Sequence, residues 1–128
     1  MHETRRPAAA PRRRRPRSFG ETLRGLRQAR GIGLRELARR LGISATYLSQ
    51  IESDACPTPI EERVMAMAQA LEQDPDELLA LAGRVASDVD AIIRARPRAM
   101  ATFLRTARGL SEEDLRRLTE QIRERQAR

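Results

Sequence analysis

Three short polar residues at helical spacing are the part of this sequence best suited to chemistry. Thr46, Ser49 and Gln50 fall on one side of a helix that begins at Ala45, and this side carries no charge before Glu52. Hydroxyl and amide groups can bind base edges in a DNA major groove, and the Gln50 amide can bind adenine through two hydrogen bonds. A solvated helix face is the alternative. We expect base contacts from Ala45, Thr46, Ser49 and Gln50.

Two short helices with a shared apolar side must position these residues. Gly42 can take the positive φ that ends a helix, and Ser44 can cap the helix that follows. In the second helix Leu48 and Ile51 point inward at positions i and i+3. The apolar stripe of the first helix consists of Leu34, Leu37, Ala38 and Leu41. The sequence therefore predicts a helix, a tight turn and a second helix.

This stretch resembles the helix-turn-helix domain of the Cro and phage-repressor family, also called the XRE family. The resemblance covers about residues 19–82 and includes LRGLRQARG at 23–31. It rests further on Ala38, Gly42, Leu48, Ile51 and Glu52. It implies an all-α, five-helix lambda-repressor-like domain that binds double-stranded DNA, with the helix at 45–53 in the major groove.

The sequence departs from the family at two positions where many members contact DNA phosphates. Leu34 stands where many members have Gln, and Ser53-Asp54 follows the glutamate where many have Arg-Gly. The resemblance does not carry phosphate contacts over to these positions. We expect such contacts from Arg35 near a helix start, from Ser44 in addition to its cap, and from the Tyr47 hydroxyl. Packing of the Tyr47 ring at the edge of the core is an equal alternative.

Arg27 and Glu52 are expected to form a structural ion pair. The family resemblance implies this pairing. The helix dipole favours it independently, because Glu52 lies near the negative C-terminal end of its helix and a cation beside it would relieve that repulsion. Two unpaired surface charges are the alternative.

The positive charge is concentrated at the N-terminus. The net charge is +7, and residues 1–17 contain seven of the arginines and one glutamate. Three prolines and no large apolar residue after Met1 predict a disordered arm over 1–17. The arm would either bind DNA phosphates or act as a solubilising extension. The candidate phosphate contacts in it are Arg12, Arg13, Arg14 and Arg15.

Helix-start signals divide the rest of the chain. Ser18 with Glu21 predicts the first helix of a DNA-binding domain over 18–83. The run Thr58-Pro59-Ile60-Glu61 predicts another, with Thr58 as N-cap, Pro59 in the first turn and Ile60 on the buried face. Asp74-Pro75 predicts the fifth. Residues 84–128 predict about three more helices, too few for a core of their own. They would dimerise, bind a partner protein or pack on the same chain.

Several functional classes are not expected. Cys56 and His2 are single, which argues against a disulfide framework, a metal site or a catalytic cysteine–histidine pair. We expect no enzyme activity and no cofactor. No apolar run is long enough to cross a membrane, so a cytoplasmic protein associated with a bacterial or phage nucleoid is expected.

The function expected from the sequence is a homodimeric, sequence-specific repressor on an inverted-repeat operator. The alternative is an antitoxin or adaptor that binds a partner protein through residues 84–128 and uses DNA binding for autoregulation.

Overall fold

The computed structural model describes residues 17–128, and all regular structure in that range is helical. The all-α class predicted from the sequence is confirmed. The helices are α1 (Phe19–Ala29), α2 (Leu34–Leu41), α3 (Ala45–Glu52), α4 (Glu61–Ala70), α5 (Pro75–Leu81), α6 (Ser87–Ala95), α7 (Pro97–Ala107) and α8 (Glu112–Gln126). The predicted arm lies outside the described residues except for Arg17.

The chain divides into two compact units, one ending at Ala86 and the other spanning Ser87–Arg128. We call them the first unit and the second unit. The first contains α1 to α5, and the second contains α6 to α8. Within residues 17–128, no helix combines the length and the apolarity needed to cross a membrane.

A core of small and medium apolar side chains holds the first unit together. Leu23 of α1, Leu37 of α2 and Leu48 of α3 are fully buried; α4 packs against α2, and α5 packs against α4. Burying one leucine contributes about 1.5–3 kcal/mol. The buried apolar residues are Phe19, Leu23, Leu37, Ala38, Leu48, Ile51, Val64, Met67, Ala68, Leu71, Leu78, Leu79 and Ala82.

Side-chain caps fix the start of α1 and α5 as predicted. The Ser18 hydroxyl accepts a hydrogen bond from the Glu21 amide at 3.1 Å. The Asp74 carboxylate accepts from the amides of Asp76 at 2.8 Å and Glu77 at 3.1 Å, and Pro75 occupies the first turn. These bonds satisfy amide groups that have no partner within the helix.

The predicted start of α4 was wrong. Thr58 does not cap the helix, and Pro59 is not in its first turn; α4 begins at Glu61 with Ile60 in the N-cap position. Arg84 donates to the carbonyls of Pro59 at 2.7 Å and Thr58 at 3.1 Å, and the Thr58 hydroxyl donates to the Ala82 carbonyl at 3.4 Å. These long-range bonds hold the segment outside the helix. As a result Ile60 is 60% exposed, and it is not buried as expected.

The second unit has a capping box at the start of α8 but no buried residue in α6, α7 or α8. In α8 the Ser111 hydroxyl accepts from the Asp114 amide at 3.1 Å, and the Asp114 carboxylate accepts from the Ser111 amide at 3.4 Å. Its large exposed apolar residues are Val89, Ile92, Phe103, Leu104, Leu110, Leu115, Leu118 and Ile122. The unit therefore presents apolar side chains that it does not cover itself.

Candidate nucleic-acid interface

A glycine turn sets the position of α3 relative to α2. Gly42 takes a φ of 68°, which glycine adopts at little cost, and the Ile43 amide donates to the Ala38 carbonyl at 3.0 Å. The Ser44 hydroxyl then accepts from the Tyr47 amide at 3.0 Å and caps α3. Because both ends of the turn are hydrogen-bonded, the first residue of α3 has a defined position.

One face of α3 is free for binding. Thr46, Ser49 and Gln50 are exposed, whereas Leu48 and Ile51 on the opposite face are buried in the core. Within residues 17–128, no side-chain hydrogen bond occupies Thr46, Ser49 or Gln50. We call these three residues the reading face. A shallow groove beside it lies between α2 and α3 and is lined by Leu34, Arg35, Ala45, Thr46, Ser49 and Gln50.

The C-terminal end of α3 is joined to α1 by a buried ion pair. Arg27 donates from Nε to Glu52 Oε2 at 2.8 Å and from Nη2 to Oε1 at 2.9 Å, and a third nitrogen donates to the Ile32 carbonyl at 3.0 Å. The two side chains are only 11% and 5% exposed. The hydrogen bond to Glu52 raises the pKa of Arg27 above its ordinary value, so the guanidinium stays charged. Its geometry is that of a structural clamp between the helices.

A second joint between α1 and α3 was not predicted. Asp54 takes a φ of 57°, and its carboxylate accepts from the Gly20 amide at 3.0 Å and from the Ser18 hydroxyl at 2.5 Å. A Cβ on residue 20 would lie 2.4 Å from the Ile51 carbonyl oxygen, so only glycine allows this approach. The glycine in the first turn of α1 was the one sequence signal for it.

The candidate phosphate contacts lie in different surroundings. Arg35 is exposed in the first turn of α2, and Ser44 is exposed but serves as the cap of α3. The Tyr47 ring is half-buried and packs against the core, and the guanidinium of Arg63 from α4 lies 5.1 Å from its centroid. Sequence reasoning did not single out Arg63. The candidates Arg12, Arg13, Arg14 and Arg15 lie outside the described residues.

The helix α3 is amphipathic, follows a tight glycine turn and keeps its polar face free. Its C-terminal end is clamped to α1. This arrangement defines a helix-turn-helix protein. Residues 18–81, half of the chain, match the family model described as "Helix-turn-helix domain". The chain belongs to this family, within the Cro and phage-repressor (XRE) group that its motif resembles.

Named relatives share this part of the chain. The chain is 36% identical to the uncharacterized HTH-type transcriptional regulator RghRB of Bacillus subtilis over 67 residues. The aligned residues cover 52% of this chain and 48% of RghRB. The chain is 35% identical to the HTH-type transcriptional repressor RghR of the same organism over 68 residues. The aligned residues cover 53% of this chain and 50% of RghR. The chain thus spans about half the length of the curated relatives it matches.

The P22 c2 repressor protein has been solved in complex with a synthetic operator. That structure is 30% identical in sequence to this chain, with a TM-score of 0.46 over 49% of this chain and 94% of the other.

Proposed function

We propose that this protein is a sequence-specific, DNA-binding transcriptional regulator that places α3 in the major groove. The observation that carries this proposal is the reading face: three exposed hydrogen-bonding side chains lie on a helix whose other side is buried and clamped at its C-terminal end. A helix of this kind fits the width of a major groove, which is about 12 Å. The names of RghR, a transcriptional repressor, and of the operator-bound P22 c2 repressor point to the same class.

The contacts divide into those that read bases and those that hold the backbone. Thr46, Ser49 and Gln50 contact base edges, and the Ala45 methyl group packs beside them at the start of α3. Gln50 carries most of the discrimination because its amide presents a donor and an acceptor together. The backbone contacts come from Arg35, Ser44 and the four arginines Arg12 to Arg15. Tyr47 either adds a contact from its hydroxyl or packs its ring at the edge of the core.

We further propose that the second unit makes the protein a homodimer on an inverted repeat. The second unit does not cover its own apolar side chains, and a second copy would cover them. A dimer with twofold symmetry presents two copies of α3 to half-sites about 34 Å apart, or a multiple of that spacing. Repression follows if such a site overlaps a promoter.

The same apolar side chains also favour a second candidate function. A partner protein could cover them, and the chain would then be an antitoxin or an adaptor whose helix-turn-helix unit regulates its own expression. The sedimentation mass of the purified full chain separates the two cases. A dimer in the absence of DNA supports the homodimeric repressor, whereas a monomer at micromolar concentration contradicts it.

Selection of bound duplexes from a random pool tests the main proposal. The full chain is expected to enrich one inverted-repeat sequence. The triple variant Thr46→Ala/Ser49→Ala/Gln50→Ala is the control: it should stay folded, because all three side chains are exposed, and should enrich no sequence. If the native chain also enriches no sequence over the starting pool, sequence-specific binding is wrong.

A further inference from the structure

The segment that follows the reading helix contains no positive charge. Residues 53–60 read SDACPTPI, and no arginine or lysine is among them. A helix in the major groove has a phosphate backbone on each side, and neutralising those phosphates supplies most of the sequence-independent affinity. On the side of α3 that faces this segment, a positively charged phosphate contact must therefore come from a residue elsewhere in the chain.

Arg63 lies beside α3 although it belongs to α4. Its guanidinium carbon is 5.1 Å from the centroid of the Tyr47 ring. Tyr47 and Gln50 are three positions apart on the same helix, so their side chains are neighbours on its surface. Arg63 thus lies beside a residue, Tyr47, that borders the reading face on α3.

Stacking on an aromatic ring prepares a guanidinium for binding phosphate. A ring that lies over the flat face of a guanidinium leaves the N–H donors free, because they point outward in the plane of that group. A planar fork fixed in this way can bind two phosphate oxygens and loses less side-chain entropy than a free arginine. Tyr47 is half-buried against the core, so the platform is itself fixed.

We propose that Arg63, positioned by the Tyr47 ring, binds a DNA phosphate next to α3 in place of the missing charges at 53–60. This inference rests on the proposed DNA-binding function. Tyr47 then acts as a platform for Arg63, and its hydroxyl need not contact the phosphate. The competing interpretation is a contact that only stabilises the packing of α4 on α3.

The test compares the native full chain with Arg63→Ala, Arg63→Lys and a control of equal charge change, Arg98→Ala, in the exposed first turn of α7. Affinity is measured on the selected duplex and on a random duplex over a range of salt concentrations. Loss of one phosphate contact lowers the slope of log K against log salt by about 1, which is about a five- to tenfold loss of affinity near 0.1 M salt. Arg63→Ala should show this loss on both duplexes, Arg63→Lys should keep most of the slope, and Arg98→Ala should match the native chain.

The role of the ring is tested with Tyr47→Phe and Tyr47→Leu. Tyr47→Phe keeps the aromatic ring and should keep the affinity for DNA. Tyr47→Leu removes the ring and should lower that affinity. In the Tyr47→Leu background, Arg63→Ala should cause a smaller further loss than it does in the native chain. A Tyr47→Phe loss as large as that of Tyr47→Leu would assign the contact to the hydroxyl and overturn the platform.

Thermal unfolding of the same variants separates packing from binding. If Arg63→Ala lowers Tm but leaves both affinities and the salt slope unchanged, Arg63 is a packing contact and the inference is wrong. If the native chain binds neither duplex, the proposed function fails instead, so the two failures can be distinguished.

Discussion

The first and second units differ in what surrounds their leucines. Leu48 in α3 is 0% exposed, whereas Leu118 in α8 is 38% exposed although it occupies a similar apolar stripe. Both units have capped helices, and the cap of α8 is bonded in both directions. The comparison shows that caps and periodicity determine where a helix forms, whereas long-range packing determines whether it belongs to a core. The first unit has that packing within one chain, whereas the second unit leaves its apolar side chains exposed.

The largest expected difference concerns the ion pairs of the two units. Glu52→Ala leaves the largely buried guanidinium of Arg27 without its carboxylate partner and should lower the free energy of unfolding by about 3–5 kcal/mol. Glu113→Ala breaks a pair with Arg117 that is exposed, and its effect should lie within the error of the measurement. Urea unfolding of both variants measures this. Equal effects would show that the Arg27–Glu52 clamp does not behave as a buried pair.

A leucine in each unit gives the next comparison. Leu48→Ala should cost about 2–5 kcal/mol of folding free energy, because it removes a fully buried side chain. Leu118→Ala should leave the unfolding of the first unit unchanged but weaken self-association of the chain. Urea unfolding and sedimentation measure the two quantities separately. A Leu118→Ala variant that associates as tightly as the native chain would remove Leu118 from the proposed dimer contact.

The next comparison is the effect on DNA affinity of replacing one exposed glutamine in each unit. Gln50→Ala should weaken the selected DNA site by about 1–3 kcal/mol, with little change on random DNA, because it removes contacts to one base. Gln121→Ala in α8 is the matched control and should alter neither affinity. Titrating each variant with the selected and the random duplex gives the four affinities to compare. Parallel losses on selected and random DNA would make Gln50 a backbone contact.

The smallest expected effect is a pH dependence in α2. Hydrogen bonds from Arg39 and then Arg40 hold the pKa of Glu36 below its ordinary value of 4.5. A carboxyl with a lowered pKa stabilises the fold above the ordinary value, and this stabilisation is lost as the pH falls through the lowered pKa. The difference in unfolding free energy between the native chain and Glu36→Gln should therefore shrink below about pH 4.5. If the difference in unfolding free energy did not change with pH, the hydrogen bonds from Arg39 and Arg40 would not stabilise the charged form of Glu36.

Local signals predicted most of the first unit, because those signals act over a few residues. Gly42, Ser44 and Asp74 determine turns and caps through their own backbone and side-chain preferences. The start of α4 was wrong because Thr58 and Pro59 are held by Arg84, 26 and 25 residues away. No local pattern contains that bond.

The same distinction applies to the candidate site. The residues of the reading face were identified from their spacing on one helix, and their contacts with bases remain a prediction. The sequence did not predict that Asp54 and Arg63 make contacts at the end and edge of α3. Their partners, Gly20 and Tyr47, lie 34 and 16 residues away in the sequence, so only the folded chain brings them together.

The hydrogen bonds that Asp54 accepts from Ser18 and Gly20 determine where the chain enters the folded domain. Residue 17 is tethered beside the last turn of α3, whatever sequence precedes it. A bulky fusion partner placed directly before residue 17, in place of residues 1–16, would emerge next to the last turn of α3 and crowd the helix that we propose binds DNA. By the same reasoning, short peptides of chosen charge grafted before residue 17 would be delivered to one end of the bound site.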